Sequence, residues 1–241
     1  MSESKVYKPF QFKEFVVAQD RCAMKVGTDG ILLGSWADVS QAKNVLDIGT
    51  GTGLVALMLA QRNASAQIEA IEIDKVAAQQ ATENVEASPF ASRLTVRQTS
   101  LQTFQPQHQY DVIVSNPPFF ENSLKADSQQ RNLARHTDSL SHEELCLFAS
   151  EHLSDHGKLC MVLPHKAALT LIQQVERFGL SISSICEVSH SPSKQVRRIL
   201  LELSKQNCSS PVMDKLAIRA QDGITYSEAY KKLTNKFHPF F

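Results

Sequence analysis

"LDIGTGTG", residues 46–53, decides how the rest of this chain is read. Val45, Leu46 and Ile48 are apolar and partly β-branched, as a buried strand requires. Glycines then stand at every second position, Gly49, Gly51 and Gly53, and a helical pattern, LVALMLAQ, begins at residue 54. A strand that ends in glycines lets a ligand approach the backbone, and the helix behind it offers free N–H groups. In an open α/β sheet, ligands bind at the carboxyl ends of the strands. The spacing here is G-x-G-x-G, unlike the G-x-G-x-x-G of dinucleotide binders. Asp47 stands two residues ahead of the first glycine. A carboxylate there repels a pyrophosphate and suits a cationic group, so the stretch reads as the seat of a nucleoside-type cofactor carrying positive charge.

Outward from this turn, strand and helix patterns alternate. Further strands are predicted at 68–73, 94–97, 111–114, 158–163, 181–188 and 197–203, and helices at 75–86, 142–153 and 167–178, with Asp74 as an N-cap. Alternation of this length implies a mainly parallel sheet with helices on both faces. The last two strands are expected as an antiparallel pair at the edge. That makes seven strands and one domain over 1–241, with an N-terminal segment at 1–43, a core at 44–204 and a C-terminal extension at 205–241.

Two strand ends carry further chemistry. Glu72 lies about 20 residues beyond the last glycine, the offset of a carboxylate that accepts from ribose hydroxyls. Ile73 beside it is placed to pack on a base. After the strand at 111–114 comes "SNPPFF", residues 115–120. Proline is about 5% of residues, so two follow a given Asn by chance roughly once in 400. The Asn116 side-chain carbonyl and the Pro117 backbone carbonyl can each accept one N–H of an amine. The prolines fix φ and aim the second carbonyl, while Phe119 can stack on a flipped-out base, worth ~1–3 kcal/mol.

Composition narrows the classes. The 241 residues are 42% hydrophobic and 21% charged, ordinary for a globular chain with a full core. No apolar run reaches the ~18–20 residues of a membrane helix, and MSESKVYKPF lacks the apolar stretch of a secretory signal. Five scattered cysteines without a C-x-x-C pair argue against disulfides and against a bound metal. A reduced, cytoplasmic protein is expected. Net charge is zero, but from His190 onward nine Lys or Arg face four acids, which suits a local phosphate-binding face.

The D-x-G-x-G-x-G turn resembles motif I of S-adenosylmethionine-dependent methyltransferases, and Asn116-Pro117-Pro118-Phe119 resembles motif IV of those that methylate amines. The likeness implies a Rossmann-like class I fold, with Asp47, Gly49, Gly51 and Gly53 at the methionine portion of S-adenosylmethionine. Glu72 and Ile73 fall at its adenosine. Ser100 stands where such enzymes often carry an acid toward the adenine. Other stretches, "DRCAMKVGTDGILLG" at 20–34, "VLP" at 162–164 and "YSEAY" at 226–230, resemble the bacterial tRNA1(Val) adenine-N6-methyltransferase family over nearly the whole chain.

That resemblance implies methylation of the adenine 3′ of the valine anticodon, adenine 37, with tRNA as partner. It brings Lys25 to the cofactor carboxylate, Thr28 to a helix cap and Asp29 to the pocket wall. Arg131, Arg135 and His136, in the polar loop after motif IV, border the catalytic mouth, and Lys194, Arg197 and Arg198 extend the positive surface toward RNA. A protein-glutamine methyltransferase uses the same amide geometry, but only 46 residues precede Asp47, little room for its helical substrate domain. A catalytically silent cofactor- and RNA-binding protein is the remaining alternative.

Overall fold

Strands β3 (Asn44–Ile48), β6 (Tyr110–Ser115) and β7 (Leu153–Pro164) form the middle of a sheet, and their side chains explain why. Val45, Val112, Val114, Cys160 and Val162 point into one core layer, and Leu46, Ile113, Leu159, Met161 and Leu163 into the other. A strand apolar on both faces is stable only with helices above and below it. The computed structural model describes residues 7–118 and 140–239.

The remaining strands of this sheet are β4 (Gln67–Glu72), β5 (Leu94–Gln98), β8 (Ser181–Ser189), β9 (Val196–Ser204) and β10 (Val212–Ala217). The eight strands run in the order β10-β8-β9-β7-β6-β3-β4-β5. Only β9 is antiparallel to its neighbours there. Helices α1 (Thr28–Trp36), α2 (Leu54–Arg62) and α6 (Glu228–Thr234) pack on one face, α4 (His142–His152) and α5 (His165–Ile172) on the other, and α3 (Lys75–Glu86) lies against β5. No described helix is long and apolar enough to cross a membrane.

The Rossmann-like expectation holds, with eight strands in the sheet among the described residues where seven were expected. The extra one is β10, inside the stretch expected to be an extension. Its alternation of buried and exposed positions is weak because Val212 and Met213 are exposed, so only Leu216 marks a buried position. It pairs in parallel with β8, which moves the β8–β9 pair off the edge. The helix expected over 167–178 is α5 followed by a separate 3-10 turn, Val175–Phe178.

Two features fix the parts around the site. Gly34 lets α1 approach α2 closely, since a Cβ there would meet Met58 Sδ at 2.8 Å, and Arg62 at the end of α2 donates to the Gly34 carbonyl at 2.9 Å. The short hairpin of β1 (Phe10–Gln11) and β2 (Val16–Val17) is tied to the far end of the chain. Lys13 N–H donates to the Phe237 carbonyl at 3.1 Å, its ammonium to the Asn235 carbonyl at 2.6 Å, and Gln61 Nε2 to the Lys236 carbonyl at 2.9 Å. Phe12 and Phe237 are both buried beneath these bonds.

Candidate active site

The three glycines close the turn after β3 with φ of +72°, +58° and +82° at Gly49, Gly51 and Gly53, values that L side chains rarely adopt. At Gly49 and Gly51 a Cβ would meet nothing within 4 Å, so the turn presents bare backbone to open space. The N–H groups of Gly49 and Thr50 donate to the Ile71 carbonyl at 2.9 and 3.0 Å, binding the turn to the end of β4.

Two carboxylates hold the turn. Asp47 is 1% exposed, and its Oδ2 accepts from Thr50 Oγ1 at 2.6 Å and Ala56 N at 3.1 Å. Burial pushes its pKa up to about 7, against the lowering effect of those two bonds. This oxygen clamps the glycine turn to α2, and Asp47 also lines the larger of the two cavities described next. Glu72 Oε2 accepts from Gly51 N at 2.8 Å and Oε1 from Asp74 N at 3.0 Å. Each of its oxygens keeps acceptor capacity for a hydroxyl.

Two connected cavities open on this turn. One, about 210 Å³, is lined by Glu72, Ile73, Ser100 and Pro118. Ile73 is 49% exposed, an apolar surface left bare at the cavity wall. The other, about 430 Å³, lies between the glycine turn and the first turn of α1, with Asp29, Asp47 and Arg198 in its wall. Met24, Gly49, Gly51 and Asn116 border both. The volumes and the bare glycine backbone fit an elongated nucleoside ligand laid across the turn.

Asn116 stands where the two cavities meet. Ser115 Oγ donates to the Ile48 carbonyl at 2.9 Å, which fixes the ends of β6 and β3 together. Asn116 Nδ2 lies 3.9 Å from Met24 Sδ, a weak acceptor. Its Oδ1 is buried and accepts nothing from the described residues. A buried, unmatched carbonyl oxygen costs about 1–3 kcal/mol, and here it borders the chamber that would hold a donor. Pro117 is buried beside it. Phe119, Arg131, Arg135 and His136 lie outside the described residues.

The roof differs from expectation. Lys25 lines the larger cavity, its ammonium donating to the carbonyls of Gln19 and Cys22, both at 2.6 Å, and lying 4.1 Å from the Tyr7 ring centroid. Thr28 is no cap. Extended Gly27 holds the N-cap position without a side-chain bond, and Thr28 is the first helical residue. Asp29 does line the chamber, paired with Arg198 at 2.9 Å. Ser100 lies in the smaller cavity, its hydroxyl 2.9 Å from Thr103 Oγ1. Lys194, Arg197 and Arg198 come together around a third cavity beyond Asp29.

Sequence reasoning missed what holds the roof down. Asn84 on α3 accepts from Ala18 N at 2.8 Å and donates to the carbonyls of Ala18 and Thr52 at 2.9 and 2.8 Å. Gln80, one turn earlier, accepts from Arg21 N at 2.9 Å and Cys22 N at 3.2 Å. The available signal was two amides four residues apart on the alanine-rich face of a helix, where an unpaired polar group is costly. Met24 gave no such signal.

Comparison with known proteins agrees with this geometry. Residues 23–179 match the Methyltransferase small domain family. A tRNA1(Val) (adenine(37)-N6)-methyltransferase of Parabacteroides distasonis is 45% identical over 95% of this chain and 97% of its own. One of the same name from Serratia proteamaculans is 43% identical over 96% of this chain and 90% of its own. Among solved structures, a predicted O-methyltransferase from Agrobacterium tumefaciens superposes with a TM-score of 0.65 at 17% identity, covering 87% of this chain and 96% of its own, which speaks for the fold.

Proposed function

The chain belongs to the tRNA1(Val) (adenine(37)-N6)-methyltransferase family, and from that premise we propose that it methylates the exocyclic N6 of adenine 37 in valine tRNA, using S-adenosylmethionine. The observation that carries this reading is the unmatched Oδ1 of Asn116 at the junction of the two cavities. When bound, S-adenosylmethionine supplies an electrophilic methyl group on a sulfonium.

The chain's own residues supply position and charge. Gly49 and Gly51 leave room for the ligand's body, Glu72 is placed for ribose hydroxyls, and Ile73 offers an apolar wall to its adenine, with Ser100 at the rim. The first turn of α1, with Asp29, closes the opposite side of the larger chamber. Asn116 Oδ1 accepts a hydrogen bond from one N6–H and the Pro117 carbonyl from the other, so the amine is held for attack, and the proton that N6 sheds afterwards goes to solvent. As N6 gains positive character its protons become better donors, and both acceptors bind the transition state more tightly than the ground state. Met24 steadies the other end of the Asn116 amide. Phe119 is assigned to the flipped base, and Arg131, Arg135 and His136 to the catalytic mouth.

Residues 1–241 then act as one methyltransferase unit on tRNA in the cytoplasm, by a chemistry that requires neither metal nor a protein partner. The test is transfer of labelled methyl from S-adenosylmethionine into unmodified tRNA, followed by nucleoside mass spectrometry. Label in N6-methyladenosine of valine tRNA is expected. Label absent from RNA but present on a protein glutamine would transfer the Asn116 site to an amide substrate.

A further inference from the structure

Beyond the chamber that holds Asn116 lies a cavity of about 560 Å³, larger than either of the other two. It shares Thr28, Asp29 and Arg198 with that chamber, so the two are neighbours across one wall. Resting on the function proposed above, we propose that this third cavity seats a nucleotide adjacent to the methylated adenine in the RNA chain.

Its lining has two characters. Leu32 and Val188 are buried and Ile218 half-buried, which gives an apolar floor. His190, Lys194 and Arg197 are exposed at the cavity, and among the described residues no side-chain hydrogen bond or ion pair engages Lys194 or Arg197. A nucleotide has the same division, a flat base and a charged phosphate. Single-stranded RNA is read by seating splayed bases on such surfaces while cations hold the backbone.

The wall between the cavities gives the arrangement a direction. Asp29 pairs with Arg198 at 2.9 Å, so the cation in the wall shared with the methyl-transfer chamber is already matched. Unmatched positive charge is left on the outer rim, at Lys194 and Arg197. A phosphate is drawn to that rim rather than to the matched Asp29–Arg198 pair, which leaves the inner chamber to an uncharged base. The rim is also framed by backbone bonds. Ile218 N donates to the Ser189 carbonyl at 3.0 Å, Arg219 N to the His190 carbonyl at 2.7 Å, and Lys194 N to the Ser191 carbonyl at 3.0 Å. The chain leaving strand β10 thus supplies the outer edge of the seat.

The test uses the full chain and an anticodon stem-loop RNA, intact or abasic at either neighbour of the target adenine. With Lys194→Ala/Arg197→Ala, the KM for intact RNA is expected to rise about tenfold while S-adenosylmethionine binding stays at the wild-type value. The slope of log(kcat/KM) against log salt should become shallower by about 1.4, about 0.7 for each single-strand phosphate that the variant no longer neutralises. An abasic site at one neighbour should lower wild-type kcat/KM about fivefold or more, the loss of one stacked base. Normal methylation by wild type with no change in KM and salt slope for the variant, or with neither abasic site mattering, overturns the seat alone. Failure of wild type to form N6-methyladenosine in any RNA overturns the parent reading, and this one with it.

Discussion

The strand ends that meet in the cleft treat their polar atoms in two opposite ways. Past β3 and β4, Asp47 and Glu72 accept four protein hydrogen bonds between them, from Thr50, Ala56, Gly51 and Asp74. At the end of β6, Asn116 Oδ1 accepts none from the described residues although it is buried. One side stores shape and the other stores an unmade interaction. Under the proposed function, the cofactor end is thus built before its ligand arrives, whereas the methyl-accepting end is completed by the substrate.

The comparison is broken most directly at Asn116. Asn116→Ala should lower kcat by roughly 10²–10³-fold, the usual loss for one preorganised transition-state partner, while calorimetry shows S-adenosylmethionine bound as in wild type. Loss of cofactor binding in that variant would mean that the two ends are not separable. Next in size is the roof. Asn84→Ala removes three hydrogen bonds and leaves the Ala18 and Thr52 backbone groups unmatched, so urea unfolding should show a loss of about 2–3 kcal/mol.

Within the turn itself, Gly51→Ala and Gly53→Ala impose similar strain of about 1–2 kcal/mol, because both residues have positive φ. Their Cβ atoms would point to different places. At Gly53 it meets Ala81 at an ordinary 3.5 Å, and at Gly51 it enters open space beside both cavities. Both variants should lose stability, but only Gly51→Ala should also weaken S-adenosylmethionine binding beyond that loss, by about tenfold in Kd. Equal Kd values would show that the cradle is not where the ligand lies.

The last expected effect is a dependence on pH. Asp47 titrates near 7 when folded and near its ordinary 3.8 when unfolded, so between those values the folded chain holds a proton the unfolded chain has lost. Stability therefore falls as pH rises through this window, by up to about 1.4 kcal/mol per unit, and levels off above 7. Asp47→Asn should flatten that part of a Tm-against-pH curve. A curve unchanged by the substitution would assign the slope elsewhere.

The sheet's centre was legible because β3, β6 and β7 are apolar on both faces and end in glycine, proline or a cap. Asn116 was legible for a different reason: an amide followed by two prolines has few uses in a plain turn. Strand β10 was not, since an edge strand with Val212 and Met213 in solvent carries almost no burial pattern. Lys25 and Asp47 were placed at the chamber wall without the protein partners that hold them there, and Thr28 was expected as a cap where Gly27 stands. Whether a charge meets a ligand or a nearby backbone carbonyl depends on distances of an ångström, which spacing along the chain does not encode.

The bonds from Lys13 and Gln61 to residues 235–237 have a consequence for how the protein is made. The chain leading into the roof, β1 and β2, is synthesised early yet rests on partners translated more than 200 residues later, as the Lys13–Asn235 separation of 222 shows. Contacts of such span form late, after the loop between them has been ordered. A ribosome-bound chain short of residue 235 therefore carries the glycine turn and Asn116 beneath a roof fastened on the α3 side alone.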